Sequence, residues 1–318
     1  MRHVFETVLL PRDDTAPQAC EDRVVVLPPG FAAVIDGATS LDGSRWDGAT
    51  GGALAADAIA AAFTDAWRAS LRGEPDLFAE ATGALALADH AIAALYDRLG
   101  LTDAARRNPK QRFRAAFAVA SLRGGLWRLV GAGDCAARAG DGPVMTRDHP
   151  AEPVFAAWRA ALLAEAPEAD ERWVRRVLSG GLRGPDGADP RVLRAATRAR
   201  AAADPALADR ALAAGLSGMR AAPPGDPLAF GVADGIGDMG ADFLWAATAP
   251  EAQTDRIALW TDGWQAPGQG DAADWLRAAA EAHAADPRRI GRHRSVKGPT
   301  ASGRHDDAGL VLIRRSDR

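Results

Sequence analysis

The stretch "AAVIDGATSLDG" (residues 32–43) runs from a short apolar segment directly into an aspartate followed by a glycine. Its first four residues have the small and β-branched side chains of a buried strand, and Asp36-Gly37 stands where that strand would end. Asp-Gly is a strong turn signal, so a hairpin bend is the simplest interpretation. A strand-end carboxylate backed by a glycine, whose main chain can approach an ion closely, also fits a cation site. The rest of the sequence has to distinguish the two.

Acidic residues stand at the ends of other apolar segments in the same way. They are Glu21 and Asp22 before "RVVVL", Asp134 after "LVGAG", Asp262-Gly263 after "IALWT", and Asp306 and Asp307 before "AGLVLI". Each of these is a common turn or cap when it occurs alone. Their shared position at strand ends is what favours a common site.

The length, composition and net charge are those of an ordinary globular protein. It has 318 residues, 47% hydrophobic and 25% charged, and a net charge of −4. This balance predicts no nucleic acid and no membrane as a partner. Two cysteines, Cys20 and Cys135, make no disulfide framework and suit a reducing cytoplasm. No secretory signal and no membrane-spanning apolar run is evident, so we expect a cytoplasmic protein.

Hydrophobic periodicity places strands at both ends of the chain and helices between them. Strands are predicted at 23–29, 31–37, within 114–140 and 230–263, and at 308–315; helices at 51–71, 74–100 and 271–287; and further helical spacing at 151–220. Paired strands around two long helices predict antiparallel sheets covered by helices, an α+β layer architecture. We expect one domain over residues 1–318, with a helical insertion or flap at about 151–227 and no interdomain linker.

Carboxylates that converge at one rim of packed sheets repel one another and raise one another's pKa. A hard divalent cation relieves this repulsion, and Mg²⁺ and Mn²⁺ prefer carboxylate, carbonyl and water oxygens. No Cys/His pattern with zinc spacing is present in the sequence. The chemistry such a cluster would support is hydrolysis with two metal ions, in which an acidified water attacks phosphorus in line.

The order of these motifs resembles the metal-dependent Ser/Thr protein phosphatases of the PPM (protein phosphatase 2C-like) family, especially its compact bacterial members. The segments that carry the resemblance are "CEDRVVVL", "AAVIDGATS", "LVGAGDCAARA", "MTRDHP", "DRIALWTDGW" and "RHDDAGLVLI". The match extends over most of the chain, although 151–227 matches nothing specific. The resemblance implies an αββα sandwich of two antiparallel β-sheets flanked by helices, which agrees with the periodicity.

The resemblance also implies a role for each acidic position. Asp36, Asp262 and Asp306 would form the catalytic centre: Asp36 would bridge two Mn²⁺ or Mg²⁺ ions, the carbonyl of Gly37 would bind one of them, and Asp262 and Asp306 would complete the other. Glu21 and Asp22 would hold metal-bound waters, and Asp134 would lie near a third, weaker metal position. The implied activity is hydrolysis of phosphoserine or phosphothreonine in a phosphorylated protein, such as the target of a Ser/Thr kinase.

The sequence departs from the family pattern at two positions. The run after Asp36 is Gly37-Ala38-Thr39-Ser40, without the histidine that the larger family often has there. The segment before the acidic pair, "TAPQACED", lacks the arginine that grips phosphate in better-studied members. Arg45 and Arg23 are candidate replacements, since a guanidinium suits phosphate geometry. His149 is a candidate acid or base, although a packing role fits its segment better.

Two other readings stay open at this point. The departures are compatible with a catalytically weak, phosphatase-like binding or regulatory module. The same fold could also hydrolyse small phosphate esters, because a fold does not fix a substrate. The basic segment "RRIGRHRSVKG" (288–298) is either a solvated loop or a rim that attracts an anionic substrate.

Overall fold

The computed structural model describes residues 2–38, 43–223, 225–229, 231–237, 241–264 and 267–316. The chain divides into two compact units. The sheet unit consists of Met1–Asp148, Gly231–Ala279 and Asp306–Arg318, and the helical unit of His149–Phe230 and Ala280–His305. The expectation of one domain with an insertion at about 151–227 stays a prediction. No helix in the described ranges is long and apolar enough to cross a lipid bilayer.

Antiparallel strands make up the centre of the sheet unit. They are β1 (Arg2–Leu10), β2 (Arg23–Leu27), β3 (Phe31–Gly37), β4 (Arg45–Trp46), β5 (Ala49–Thr50), β6 (Ala115–Arg123), β7 (Leu126–Ala132), β8 (Ala136–Ala139), β9 (Leu244–Pro250), β10 (Arg256–Trp260) and β11 (Ala308–Ser316). One sheet has the order β1-β11-β10-β8 and the other the order β2-β3-β6-β7-β9, and β4 and β5 form a small hairpin. The two large sheets pack on each other, with β11 against β2 and β3 and β10 against β6.

Two long helices cover the outer face of the five-stranded sheet. The first, α1 (Gly51–Leu71), begins after Thr50, whose hydroxyl accepts a hydrogen bond from the Ala53 amide at 3.2 Å. The second, α2 (Ala81–Leu99), ends at Gly100 in the left-handed conformation that favours glycine. Buried side chains of both helices pack with those of β3 and β6, among them Ile59, Phe63, Trp67, Ile92, Phe31 and Phe117.

A third helix, α8, covers the outer face of the four-stranded sheet. This helix spans Ala272–Ala285. A short helix, α3 (Thr102–Arg107), also lies in the sheet unit, and the helices numbered in between belong to the helical unit. Trp275 of α8 packs with Trp260 of β10 and with Leu310 and Leu312 of β11. The layers are therefore helices, sheet, sheet and helix. This confirms the predicted α+β fold of two antiparallel sheets flanked by helices.

The structure adds a strand before the one that the sequence predicted as first. β1 pairs antiparallel with β11 along its whole length, from Arg2 opposite Ser316 to Leu10 opposite Ala308. It is an edge strand, and its residues alternate irregularly between exposed and half-buried. Polar residues such as Arg2, His3 and Glu6 interrupt its apolar pattern, which explains why periodicity alone missed it.

The helical unit is built from α4 (Glu152–Glu165), α5 (Glu171–Gly180), α6 (Pro190–Ala199) and α7 (Pro205–Ala221), the last broken at Gly215. Asp170, Asp189 and Asp204 accept amide hydrogen bonds at the first turns of α5, α6 and α7. The core of this unit includes Phe155, Trp158, Leu162, Val177 and Leu212. The predicted helical spacing at 151–220 therefore corresponds to real helices with a core of their own.

Candidate metal centre

Asp36 lies at the centre of a group of strand-end carboxylates in the sheet unit. It is the last residue but one of β3 and lies opposite Ala116 of β6. Its pKa is raised well above the usual value, first by loss of hydration on burial and then by the charges of Asp262, Asp22, Asp134 and Asp306, in that order. The fold thus brings together five aspartates that are up to 284 positions apart in the chain.

Asp22 is 1% exposed and its side chain is oriented by a threonine. Thr261 donates its hydroxyl proton to Oδ2 of Asp22 at 2.7 Å and accepts a hydrogen bond from the Gly309 amide at 2.8 Å. Because Thr261 directly precedes Asp262, one residue connects the acidic pair, the end of β10 and the start of β11. The sequence contained this signal in its Thr-Asp-Gly segment, but only the aspartate was assigned a role there.

The glycines of the two Asp-Gly pairs lie where the acidic segments approach one another most closely. A Cβ atom on Gly37 would stand 2.4 Å from the carbonyl oxygen of Gly52 and 2.7 Å from that of Glu21. A Cβ atom on Gly263 would stand 1.9 Å from the carbonyl oxygen of Asp307. Any side chain at either position would push these segments apart. Glycine is therefore required here for packing, independently of any role of the Gly37 carbonyl toward an ion.

Asp307 connects three segments of the site through main-chain hydrogen bonds, a role that the sequence did not predict. Its Oδ1 accepts from the Arg12 amide at 2.5 Å, and its Oδ2 accepts from the Glu21 amide at 2.7 Å. Its own amide donates to Oδ1 of Asp306 at 3.1 Å. The buried Asp307 carboxylate thus fixes the acidic pair and the start of β11 relative to each other.

Replacing Asp307 with asparagine should lower the free energy of unfolding by about 2 kcal/mol, because an amide group has one acceptor oxygen and would leave one buried N–H unsatisfied. Urea unfolding followed by tryptophan fluorescence measures the change. Asp13→Asn is the matched control, since Asp13 accepts from Thr15 in an exposed turn. Equal unfolding midpoints for the Asp307 and Asp13 variants would contradict the connecting role.

The Glu21 carboxylate contacts the start of α1. Its Oε1 accepts the hydroxyl hydrogen of Thr50 at 2.5 Å, and Thr50 also caps the start of α1. The charges that act on Asp36 come from Asp22, Asp134, Asp262 and Asp306. The charge of Asp22 therefore acts on Asp36, and the side chain of Glu21 bonds to the N-cap residue of α1. The role of Glu21 toward metal-bound water stays a prediction.

The two arginines considered for phosphate binding have main-chain or carboxylate partners. Arg23 donates to the carbonyls of Cys20 and Asp22 at 2.9 and 2.7 Å, and its guanidinium forms a two-point contact with Asp57. These bonds use most of its donors and make it a brace for the acidic pair. Arg45 lies exposed in the β4–β5 hairpin and donates to the Gly48 carbonyl at 2.8 Å. Its assignment to substrate phosphate stays a prediction.

The two cysteines both lie beside the carboxylates. Cys135 is fully buried, and its pKa is raised first by burial and then by the charges of Asp36, Asp134, Asp22 and Asp262. Burial also raises the pKa of Cys20 to about 12, and the Cys20 thiol points at the Asp22 carbonyl. Both thiols are therefore neutral at physiological pH and fill space next to the acidic group.

His149 belongs to the helical unit, where both ring nitrogens have main-chain partners. Its Nδ1 accepts from the Ala151 amide at 3.1 Å, and its Nε2 lies 3.0 Å from the Ala229 carbonyl. Burial lowers its pKa, so the neutral ring predominates at pH 7. These contacts agree with the packing role rather than with acid or base catalysis.

The donor atoms of the group are of the kind that a hard divalent ion requires. The group consists of hard carboxylate oxygens, the ligands that Mg²⁺ and Mn²⁺ prefer. Within the described ranges, no three His, Cys, Asp or Glu side chains are arranged to hold an ion as they stand. The raised pKa of Asp36 shows a mutual repulsion that a cation would relieve. The chemistry of the donors therefore fits hard divalent ions, provided that the carboxylates draw together around them.

Comparison with known proteins gives structural likenesses only. No family model matches the chain, and no curated relative was found. The chain is similar to the serine/threonine phosphatase PstP/Ppp from Mycobacterium tuberculosis (14% identity, TM-score 0.45, 99% of each chain covered). It is also similar to PppA from Pseudomonas aeruginosa (14% identity, TM-score 0.44, 99% of this chain and 98% of that chain covered). A third similar structure is the serine/threonine phosphatase Stp1 from Staphylococcus aureus (13% identity, TM-score 0.45, 99% of this chain and 94% of that chain covered).

Proposed function

We propose that this protein is a Mg²⁺- or Mn²⁺-dependent phosphoprotein phosphatase that hydrolyses phosphoserine or phosphothreonine. The observation that carries the proposal is the environment of Asp36. A carboxylate that loses hydration beside four further aspartates costs free energy unless it is protonated or neutralised by a cation. Five such residues at the ends of different strands are hard to explain as turns or caps alone.

Each residue of the group has its own role in the proposed mechanism. Asp36 would bridge two ions, with the carbonyl of Gly37 on one of them and Asp262 and Asp306 on the other. When bound, the ions lower the pKa of the attacking water and neutralise charge that develops on the phosphoryl oxygens. Thr261 holds Asp22 by a hydrogen bond of 2.7 Å, so that Asp22 can orient water at the rim. Asp134 would serve a third, weaker position.

The supporting residues keep the carboxylates close in spite of their repulsion. Asp307 ties the amides of Arg12 and Glu21 to the start of β11, and Arg23 ties the carbonyls of Cys20 and Asp22 to Asp57. None of these contacts uses an ion. The frame of the site is therefore present in the chain itself, and cations would adjust side chains rather than assemble segments.

Removal of divalent ions should abolish activity. We expect purified protein to hydrolyse p-nitrophenyl phosphate in millimolar Mn²⁺ and to lose at least about 99% of that rate in excess EDTA, because the proposed mechanism depends on the ions to acidify the attacking water. Mn²⁺ binding measured by isothermal titration calorimetry should show more than one ion per chain. Retention of more than about a tenth of the rate in EDTA would reject the metal mechanism. Absence of Mn²⁺ binding would favour a module that only binds phosphorylated partners.

A further inference from the structure

Charge is distributed unevenly between the two units. The helical unit has seventeen Lys and Arg against twelve Asp and Glu, whereas the sheet unit has twenty-one against thirty. The net charge of −4 for the whole chain therefore hides a basic helical unit. An excess of one sign on a compact unit attracts partners of the opposite sign.

Several exposed arginines of the helical unit are neutralised by carboxylates. Arg194 and Arg198 of α6 both pair with Glu165, Arg200 pairs with Asp209, and Arg210 pairs with Asp226. The pairs of Arg194 and Arg198 join α6 to α4, and the other two link neighbouring segments of the unit. These four arginines therefore have partners within the fold.

A second set of arginines has no such explanation. Arg172 and Arg175 stand on the exposed face of α5, opposite the buried side chains Val174, Val177 and Leu178; Arg288 and Arg292 are exposed in the segment after α8. No ion pair or hydrogen bond from these four guanidinium groups to a carboxylate occurs in the part of the chain that the structure describes. We refer to Arg172, Arg175, Arg288 and Arg292 as the basic surface.

A buried arginine holds the two halves of the basic surface together. Arg159 of α4 is fully buried and donates to both carboxylate oxygens of Glu171, the first residue of α5. The same guanidinium donates to the carbonyl oxygens of Arg288 and Arg289, each at 3.0 Å. The first turn of α5 and the segment that begins at Arg288 therefore share one anchor.

The segment after Arg288 is also held in shape by its own hydrogen bonds. The carboxylate of Asp286 accepts from the amides of Ile290, Gly291 and His293 at 3.1, 2.8 and 3.0 Å. The backbone of this segment is therefore ordered, while the side chains of Arg288 and Arg292 are exposed. Because their guanidinium groups extend from a backbone that is already ordered, less conformational entropy is lost when a partner binds.

We propose that the basic surface is a docking site for an acidic, phosphorylated protein segment. Guanidinium forks bind carboxylate and phosphate oxygens at two points, and the attractions of several such groups for one anionic segment add up. The choice of a phosphorylated protein as partner rests on the proposed phosphatase function. The segment that contains Arg288 and Arg292 ends at His305, the residue directly before Asp306 in the chain, so docking and the candidate centre share one continuous stretch of sequence.

The test uses the full chain in EDTA, so that binding is measured without turnover. The probe is a fluorescein-labelled peptide with one phosphothreonine flanked by Asp and Glu, followed by anisotropy. We expect Arg172→Glu/Arg175→Glu to weaken binding about tenfold at 150 mM salt and to flatten its salt dependence. The control Arg68→Glu/Arg98→Glu changes the net charge equally at exposed positions of the sheet unit and should bind like the wild type.

Several outcomes would overturn the docking site. Equal weakening by both double variants would mean that only net charge matters, and unchanged binding by the first would exclude the surface. Tighter binding of a single-stranded oligonucleotide than of the peptide would point to nucleic acid instead. Arg172→Gln/Arg175→Gln gives a milder change if the reversal fails to fold. Hydrolysis of p-nitrophenyl phosphate should be unchanged in all of them; its absence in the wild type would reject the phosphatase, not the docking site.

Discussion

Asp36→Asn is expected to reduce hydrolysis of p-nitrophenyl phosphate in saturating Mn²⁺ by about a thousandfold. An amide cannot bridge two cations as a carboxylate does, so the change removes charge where transition-state stabilisation depends on it. Asp262→Asn should have an effect of similar size, because Asp262 contributes the largest of the charges that act on Asp36. The loss should appear in kcat and in the affinity for Mn²⁺ measured by calorimetry.

Asp65→Asn is the matched control for this experiment. Asp65 is an exposed residue of α1 and is not one of the strand-end carboxylates. Its amide variant should therefore retain wild-type activity and metal binding. Because the exchange is isosteric, circular dichroism should show the same fold for all three variants. Activity of Asp36→Asn within tenfold of the wild type would show that the group of aspartates does not perform the chemistry.

Without metal, Asp36→Asn should be more stable than the wild type at neutral pH. The pKa of Asp36 is raised in the folded state, so the folded protein binds its proton more tightly than the unfolded chain does. The free energy of unfolding therefore falls as pH rises from the unfolded pKa, about 4, through the folded pKa. Asparagine removes this loss, and the two proteins should converge at acidic pH.

Thermal melting in EDTA from pH 5 to pH 8 measures this difference. A gain of about 1 kcal/mol corresponds to about 1–2 °C for a chain of 318 residues. Added Mn²⁺ should raise the melting temperature of the wild type more than that of the variant, since in the proposed site the ion would bind the native carboxylates. A variant that melts below the wild type at every pH would show that Asp36 is held by favourable contacts, not by repulsion that an ion relieves.

The local parts of the fold could be predicted from the sequence because short-range chemistry decides them. Alternating and continuous apolar runs predicted the β2–β3 hairpin, and helical spacing predicted α1 with the bounds that the structure has. Gly100 was predicted to close α2, and it does so in the left-handed conformation. The positions of Asp36 and Asp262 at strand ends follow from the same local patterns.

The connections within the site could not be predicted, because they join residues far apart in sequence. The hydrogen bond from the Glu21 amide to Asp307 spans 286 positions, and that from Thr261 to Asp22 spans 239. Nothing in the local sequence distinguishes Arg23, which braces the acidic pair, from Arg45, which lies in an exposed hairpin. Turn and helix signals are set by neighbours in the chain, whereas these contacts exist only once two sheets have packed.

The sequence by itself determined the kinds of element, their order and the acidic residues at their ends, since side-chain size, β-branching and Asp-Gly turns act over a few positions. Only the tertiary structure decided which carboxylates meet, which side chains orient them, and that Arg159 joins α5 to the segment after α8. The physical reason is that burial and electrostatic repulsion depend on distance in space, and the fold sets that distance.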